Sequence, residues 1–301
     1  MENIFSLRCY CPSCNNDKSE IIFIANYSDE RLENYLNLEY SNRYDKSILK
    51  NEKFVIKKCL ECGFFFQEKV FTDQYQNILY NEWFDQHEAL NDHILNGKWK
   101  KEYYRSILNF VSCYFNGSKN LKVLDFGAGF GDSLLISKEL GFKPFAVEYS
   151  FDRISYLRKN GIEVLDSTEN MQFDFVILDQ VLEHYVYPQN LLNEIYSKLN
   201  KNGIFYLSVP NSFKFHKKMR LSNKVFDVDI FENIWRKANM GPFSHINFFN
   251  SNSLKILVKN SGFKIIFPWR QCLTYPISFK SFLRPIFNYF FGTSLFLKKR
   301  L

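Results

Sequence analysis

The stretch Val123-Leu124-Asp125-Phe126-Gly127-Ala128-Gly129-Phe130-Gly131-Asp132 constrains this chain more than any other. A short apolar run that ends in an acid, followed by alternate glycines and a helical pattern, reads as strand, tight turn and helix. Glycines belong in that turn because the backbone must bend sharply and let a ligand sit against bare main chain. The spacing narrows the choice of ligand. A dinucleotide-binding turn runs G-x-G-x-x-G and offers its amides and a helix N-terminus to a pyrophosphate. Here the third glycine falls one residue early, and Asp132 stands where that pattern wants glycine. An acid there repels a pyrophosphate, whereas Asp125 ahead of the turn suits a ligand with a cationic part.

Downstream residues extend the pattern. The apolar run Pro144-Phe145-Ala146-Val147 ends in Glu148, a carboxylate at a strand tip able to accept from both hydroxyls of a ribose. Phe173-Asp174-Phe175-Val176-Ile177-Leu178-Asp179-Gln180-Val181-Leu182-Glu183-His184 reads as a further strand, and 190–199 as a helix. The turn Asn200-Lys201-Asn202-Gly203 then leads into Ile204-Phe205-Tyr206-Leu207-Ser208-Val209-Pro210-Asn211. In order and content these segments resemble the class I S-adenosylmethionine-dependent methyltransferases. Their motifs are a strand ending in an acid before G-x-G-x-G, an acid after the second strand, "V-L-E-H" after the fourth, and an "L-K-P-G-G … V-P-N" block. The resemblance covers residues 120–267. It implies an α/β, Rossmann-like fold with a mostly parallel sheet flanked by helices. It also implies S-adenosylmethionine, a nucleoside with a sulfonium and an ammonium but no phosphate. The residues it assigns to that cofactor are Asp125, Gly127, Ala128, Gly129, Gly131 and Glu148, with Asp166, Asp179 and Gln180 as further candidates. Asp125 is expected to accept from amides of the glycine turn and offset the donor's charge, or else to cap the following helix. Asp166 is expected to meet the adenine amine.

With 301 residues, 46% of them hydrophobic, the chain can build one full α/β domain and a smaller module. The net charge of +7 is spread without a basic block, so it permits an anionic partner without demanding one. The first residues show no cationic segment followed by an apolar core, and no apolar run reaches the ~20 residues of a membrane span. Seven cysteines, an odd number, argue for thiols or metal rather than disulfides. A cytoplasmic location is expected.

Cys11-Pro12-Ser13-Cys14 and Cys59-Leu60-Glu61-Cys62-Gly63 are two C-x-x-C knuckles. Each turns two thiolates onto one point, and together they complete a tetrahedral site with Zn–S bonds of about 2.3 Å. Four thiolates leave no open position, so the zinc is structural and not catalytic. The alternative is a set of buried or redox-active thiols, although the βαβ setting of a thioredoxin-like pair is missing. Cys9 is near enough to compete as a ligand, while Cys113 and Cys272 sit in apolar contexts that suit a core. The gap between the knuckles predicts structure of its own. A cysteine module ahead of such a domain resembles bacterial sugar methyltransferases of polysaccharide and deoxysugar pathways. Their C-methylating members carry a larger C-terminal domain than is present here, which favours O- or N-methylation.

The chain divides into a zinc-ribbon-like module at 1–72, a helical connector at 73–119, the methyltransferase-like domain at 120–270 and a tail at 271–301. In the connector Tyr103, Tyr104, Ile107, Leu108, Val111 and Phe115 form one apolar face. Residues 212–244, rich in Lys, Phe and Trp, read as an insertion that roofs the acceptor. The tail reads as a helix packed on the domain with a solvated basic end; peripheral membrane contact is the other reading.

Methylating a sugar hydroxyl calls for a base near neutral pKa, which points to histidine. Of the five histidines, His87 and His93 read as surface residues and His216 lies in the insertion. His184 and His245 are the candidates, with Glu183 able to orient a ring. Glu183 and His184 could equally cap the next helix. In quinone-pathway O-methyltransferases, which resemble this segment, an acid three residues before that glutamate helps hold a divalent ion. Gln180 replaces it here, so no metal is expected at this place. Ser251 or Ser253 is expected to cap the helix that follows His245. The leading expectation is methyl transfer to a sugar or nucleotide sugar. The alternative is a ribosomal-RNA base methyltransferase with a zinc ribbon, weakened by the absence of N-P-P-Y or D-P-P-Y after the fourth strand. A non-enzymatic zinc-knuckle scaffold is the third.

Overall fold

The computed structural model describes residues 3–168, 170–212, 242–266 and 293–300. They form two compact units. One is drawn from Met1–Asp85, Leu182–Leu191 and Val209–Asn260, the other from Gln86–Val181, Leu192–Ser208 and Ser261–Leu301.

The first unit begins with β1 (Phe5–Leu7), β2 (Ser19–Asn26), α1 (Glu30–Glu39), β3 (Lys53–Cys59), β4 (Phe65–Gln67) and β5 (Lys69–Phe71). β2, β3 and β4 form an antiparallel sheet, and β1 pairs with β5. The structure expected between the knuckles is α1. Asp29 starts this helix by accepting from the Arg31 N–H at 3.0 Å, with Glu30 and Glu33 in the favourable first turn. An aromatic core of Phe23, Tyr40, Phe54, Phe71, Trp83 and Phe243 fills the unit. The one polar atom that Tyr40 carries into it donates to the Pro242 carbonyl at 2.7 Å, as a buried hydroxyl must. The chain returns to this unit twice. Leu182–His184 forms a single 3-10 turn. The short strand of Asn247–Phe248, here β11, then adds to the edge of β4.

The second unit starts at the long helix α3 (Gln86–Tyr114), which follows the short α2 (Asp73–Ile78) of the first. Then come β6 (Lys122–Phe126), α4 (Asp132–Glu139), β7 (Lys143–Val147), α5 (Phe151–Lys159), β8 (Glu163–Val164), β9 (Phe173–Asp179), α6 (Pro188–Lys198) and β10 (Leu199–Ser208). After α7 (Ser251–Asn260), β12 (Phe263–Ile265) and β13 (Ser294–Lys299) complete a seven-stranded sheet ordered β12-β13-β10-β9-β6-β7-β8. β6 to β10 run parallel, and β13 is antiparallel to both β10 and β12. β9 is apolar along almost its whole length because both its faces are covered. The strand order reverses at β6, between β7 and β9. In such sheets ligands lie beyond the carboxyl ends of the strands at that reversal.

Two expectations change. The tail is no helix at its end: Ser294–Lys299 is a strand inside the sheet, with Leu295 and Leu297 buried at alternate positions. Its period of two is hidden in sequence by the basic residues that follow it. Residues 213–241 and 267–292, which hold most of the expected insertion, His216, Cys272 and the rest of the tail, lie outside the described residues. Asn250, not Ser251 or Ser253, caps α7: its Oδ1 accepts from the Ser253 N–H at 2.8 Å, and Ser253 Oγ accepts from the Asn250 N–H at 3.1 Å. Among the described residues no helix is long and apolar enough to cross a membrane.

Candidate functional site

The carboxyl ends of β6, β7, β9 and β10 bring Asp125, Glu148, Asp179 and Ser208 to one edge of the sheet. The glycine turn there is left-handed at Gly127, Gly129 and Gly131, with φ of 77°, 56° and 76°. A Cβ at Gly127 would stand 2.6 Å from a Val181 methyl and one at Gly131 would press on a Leu157 methyl, so either would force a side chain to shift at a left-handed backbone position. At Gly129 a Cβ would enter open space, which is where a ligand can press on main chain.

Four amides of this turn are already engaged. Gly127 and Ala128 donate to the Val147 carbonyl at 2.8 and 3.2 Å, Gly131 donates to Ala128, and Gly129 donates to Glu148 Oε2 at 2.7 Å. A pyrophosphate would have to displace these bonds. Glu148 also accepts from the Tyr149 and Ser150 amides through Oε1 at 2.7 and 3.0 Å. Each of its oxygens therefore holds part of the loop, with limited acceptor capacity left for a ribose.

Asp125 behaves differently from expectation. It does not take the turn's amides; its Oδ2 accepts from the Ser133 hydroxyl on α4. Burial, reinforced by Asp179, Glu148 and Asp132, pushes its carboxyl up to about 7 against the Ser133 hydrogen bond. The acid with spare capacity is Asp179. Its Oδ2 accepts from Tyr104 Oη on α3 at 2.8 Å, and its Oδ1 is shut off from solvent without a hydrogen-bond partner among the described residues. Burial raises this carboxyl as well, and hydrogen bonds from its neighbours oppose the shift. Gln180 takes φ 57° and donates its amide to the Ser208 carbonyl and Nε2 to the Ser208 hydroxyl. Asp166 stands almost wholly in water, 3.8 Å from Arg158. An orphaned buried carboxylate oxygen beside an open glycine fits a cation-bearing nucleoside.

His93 was expected at the surface and is not. It is 8% exposed, stacks on Phe130 at 4.6 Å and places Nδ1 3.2 Å from Asp132 Oδ2. Its signal was available, because 93, 97, 100, 104, 108 and 111 lie on one helical face with Tyr104.

The first unit holds two further clusters. The sulfurs of Cys11, Cys14, Cys59 and Cys62 all lie within 4.8 Å of one another, with Cys11–Cys62 at 3.6 Å and Cys14–Cys59 at 3.5 Å. Each knuckle closes the same way. Asn15 and Gly63, both left-handed, donate to the carbonyls of Cys11 and Cys59. Exposed Cys9 is not part of the set, and Cys113 is buried elsewhere. Hydrogen bonds from the other thiols, Cys11 first, pull Cys62 down to about 5 against its burial. An all-sulfur, four-fold, converging donor set fits a tetrahedral ion.

Glu183, His184 and His245 form the second cluster, their donor atoms also within 4.8 Å of one another. The helix-capping alternative fails, since α6 begins only at Pro188. His184 Nδ1 lies 2.7 Å from the Ser244 carbonyl, which can only accept, so Nδ1 carries the proton and Nε2 keeps the lone pair. That Nε2 is 3.7 Å from Glu183 Oε1, and the His245 ring meets His184 edge-on at 4.7 Å. Glu183 is buried, 1% exposed. The trio suits a proton relay, and its third donor for any cation is His245 rather than position 180.

A family model described as a methyltransferase domain matches residues 97–266. The chain belongs to the methyltransferase-domain family. Ubiquinone biosynthesis O-methyltransferase of Rickettsia canadensis (strain McKiel) is 27% identical over 161 residues, 49% of this chain and 65% of that protein. The match thus spans slightly under two thirds of that relative's length. Among solved structures, the plantazolicin methyltransferase BpumL in complex with a triazolic desmethylPZN analog and SAH superposes with a TM-score of 0.50. It is 12% identical, over 76% of this chain and 97% of that one. The glycopeptide N-methyltransferase MtfA matches 38% of this chain and 55% of that one at 18% identity, with a TM-score of 0.32. The likeness to BpumL is one of fold: the mostly parallel sheet flanked by helices is that of a methyltransferase domain.

Proposed function

We propose that this methyltransferase domain transfers a methyl group from S-adenosylmethionine to a hydroxyl or amine of a sugar or nucleotide sugar. We propose further that Cys11, Cys14, Cys59 and Cys62 hold a structural zinc. The donor half rests on Asp179 Oδ1, a carboxylate oxygen closed off from water and without a partner among the described residues. It stands on the strand beside a glycine turn whose amides are engaged. Such an edge favours a nucleoside carrying positive charge over one carrying phosphate. S-adenosylmethionine, when bound, supplies an electrophilic methyl on a sulfonium leaving group.

The chain's own residues bind, orient and deprotonate. Asp179, braced by Tyr104, takes the amino-acid end of the donor. Glu148 accepts from the ribose while it pins the loop. Gly129 allows close approach of the nucleoside. His184 takes the acceptor's proton at Nε2, and the Ser244 carbonyl and Glu183 stabilise the charged ring, the usual service of an orienting acceptor to a base. Such a base contributes about 10²–10⁴-fold. Support for the acceptor class comes from the four-cysteine module ahead of the domain, the arrangement of sugar methyltransferases. A relative named for O-methylation of a small molecule adds to it.

Turnover of labelled donor across nucleotide sugars, free sugars and structured RNA tests this reading. Methylation of a sugar substrate is expected. Turnover only on RNA, with steeply salt-dependent binding, would replace the acceptor. Calorimetry with no heat for the donor or its demethylated product would sink the donor assignment. His184→Ala and His245→Ala are expected to lower turnover by about 10²-fold with product affinity unchanged.

A further inference from the structure

The cysteine knuckles and the histidine pair lie in the same compact unit, and the Arg8 side chain runs between the segments that carry them. Arg8, three positions before Cys11, is 4% exposed. Its Nε and Nη2 donate to the Gln67 carbonyl at 2.9 and 2.6 Å, and Nη2 also reaches the Ile246 carbonyl at 2.7 Å. Nη1 donates to Asn247 Oδ1 at 2.8 Å. Asn247 passes the connection on, because its Nδ2 donates to the Leu182 and Tyr185 carbonyls at 3.3 and 2.6 Å. Two more bonds join the same residues. The Ile246 N–H donates to the Glu183 carbonyl at 3.0 Å, and Gln67 Nε2 donates to the His245 carbonyl at 3.1 Å. The backbone that presents Glu183, His184 and His245 is thus suspended from Arg8 and its immediate acceptors.

A guanidinium is an expensive choice for this position. Among the described residues no carboxylate forms an ion pair with it, and burial pulls its pKa down to about 9. Packing alone would be served by an apolar side chain. What an apolar or ammonium-bearing residue cannot supply is a rigid planar fork that reaches Gln67, Ile246 and Asn247 at once. The groups whose charge would favour the guanidinium are Cys11 and Tyr187. Ser13, inside the first knuckle, adds a second tie by donating to the Ser253 carbonyl at 3.0 Å.

We propose that Arg8 is a positioning residue that couples the cysteine module to catalysis by holding the 182–185 turn and the 244–247 segment in register. This rests on the reading of His184 and His245 as the proton-accepting pair. The metal-loaded, full-length protein is compared with Arg8→Gln and Arg8→Lys by four readouts: zinc content, calorimetric affinity for the demethylated product, turnover, and the ¹⁵N signals of labelled histidine. Arg8→Gln is expected to keep zinc and product affinity within about twofold. His184 is expected to lose its Nδ1-protonated signature, and kcat to fall by about 10²-fold with KM moving far less. Arg8→Lys is expected to recover only part of the loss. A folded Arg8→Gln protein whose His184 signature and kcat match the parent overturns the proposal. If Arg8→Gln does not fold, Asn247→Ala decides through the same signature, since it removes the relay while leaving Arg8 its bonds to Gln67 and Ile246. An unchanged His184 signal there also overturns it. A shifted signature in either variant, combined with undiminished turnover of the His184→Ala, His245→Ala double variant, would refute the histidine base while leaving the positioning intact.

Discussion

Tyr104 Oη donates to Asp179 Oδ2 at 2.8 Å, while no described residue completes a hydrogen bond to the other oxygen of that carboxylate. The proposed reading sets the amino-acid end of the donor against that second oxygen. Asp179→Asn keeps the shape and removes the charge. A charge-assisted hydrogen bond contributes about 1.5–3 kcal/mol, so donor affinity should fall roughly 10–100-fold. Tyr104→Phe should cost less, because it leaves the charge in place. Calorimetric titration of both variants checks this, and an unchanged constant for Asp179→Asn refutes the role.

The three glycines of the turn separate packing from ligand contact. Gly127→Ala and Gly131→Ala drive a methyl into Val181 and Leu157 at left-handed φ, so each should lower stability by about 1–3 kcal/mol. Gly129→Ala meets nothing within 4 Å and should cost only the conformational strain, about 1–2 kcal/mol. Its effect on donor affinity should exceed its effect on stability, the reverse of the other two. Thermal melts and titrations run side by side distinguish the cases. Gly129→Ala with intact affinity would mean that no ligand lies against that backbone.

Asp125 predicts a pH dependence of the cofactor-free protein. Its carboxyl, at about 7 when folded, stands above its ordinary 3.8. Between those values the native state holds a proton that the unfolded chain does not, so stability falls as pH rises from about 4 to 7. The loss is complete above the folded value, where both states are ionised. Asp125→Asn removes the group and should flatten that part of the curve of Tm against pH from 4 to 8. Because a cationic donor favours the ionised form, its binding should also release protons near pH 7 in the parent more than in the variant. Equal proton release in the two proteins would exclude Asp125 as the source.

Local pattern made much of this legible. The run from Val123 to Asp132 carries its own strand, turn and helix signals, and β9 announces its two covered faces by continuous apolar residues. The cysteine spacing likewise anticipates a converging set. What stayed hidden depends on partners far away in the chain. Arg8 bonds to residues 59 and 239 positions distant, and a lone arginine in sequence looks like any solvated one. His93 is fixed by Phe130 and Asp132, contacts that exist only once α3 packs near the glycine turn. β13 needs β10 and β12 to become a strand at all. Asp125 stands ahead of the turn, yet its partner is Ser133, the second residue of α4, and the amides of the turn go to the Val147 carbonyl and Glu148 instead.

The cysteines give the last prediction. Cys59 and Cys62 are buried and terminate or follow β3, so an ion shared with Cys11 and Cys14, as proposed, would close the loop between the two knuckles. Closing that loop and supplying metal–sulfur bonds both favour the folded module, and zinc affinity in such sets is largely folding free energy. Cys59→Ser should therefore abolish stoichiometric zinc and lower the melting temperature of the module sharply. Cys9→Ser, at an exposed sulfur outside the set, should leave zinc content and Tm as they were. Cys113→Ser tests the distinction between buried and ligating thiols. It places a hydroxyl in an apolar site at a cost of about 1–3 kcal/mol but should retain the metal. Elemental analysis of the three purified variants reads the outcome directly. Full zinc occupancy in Cys59→Ser would show that the four sulfurs do not act as one site.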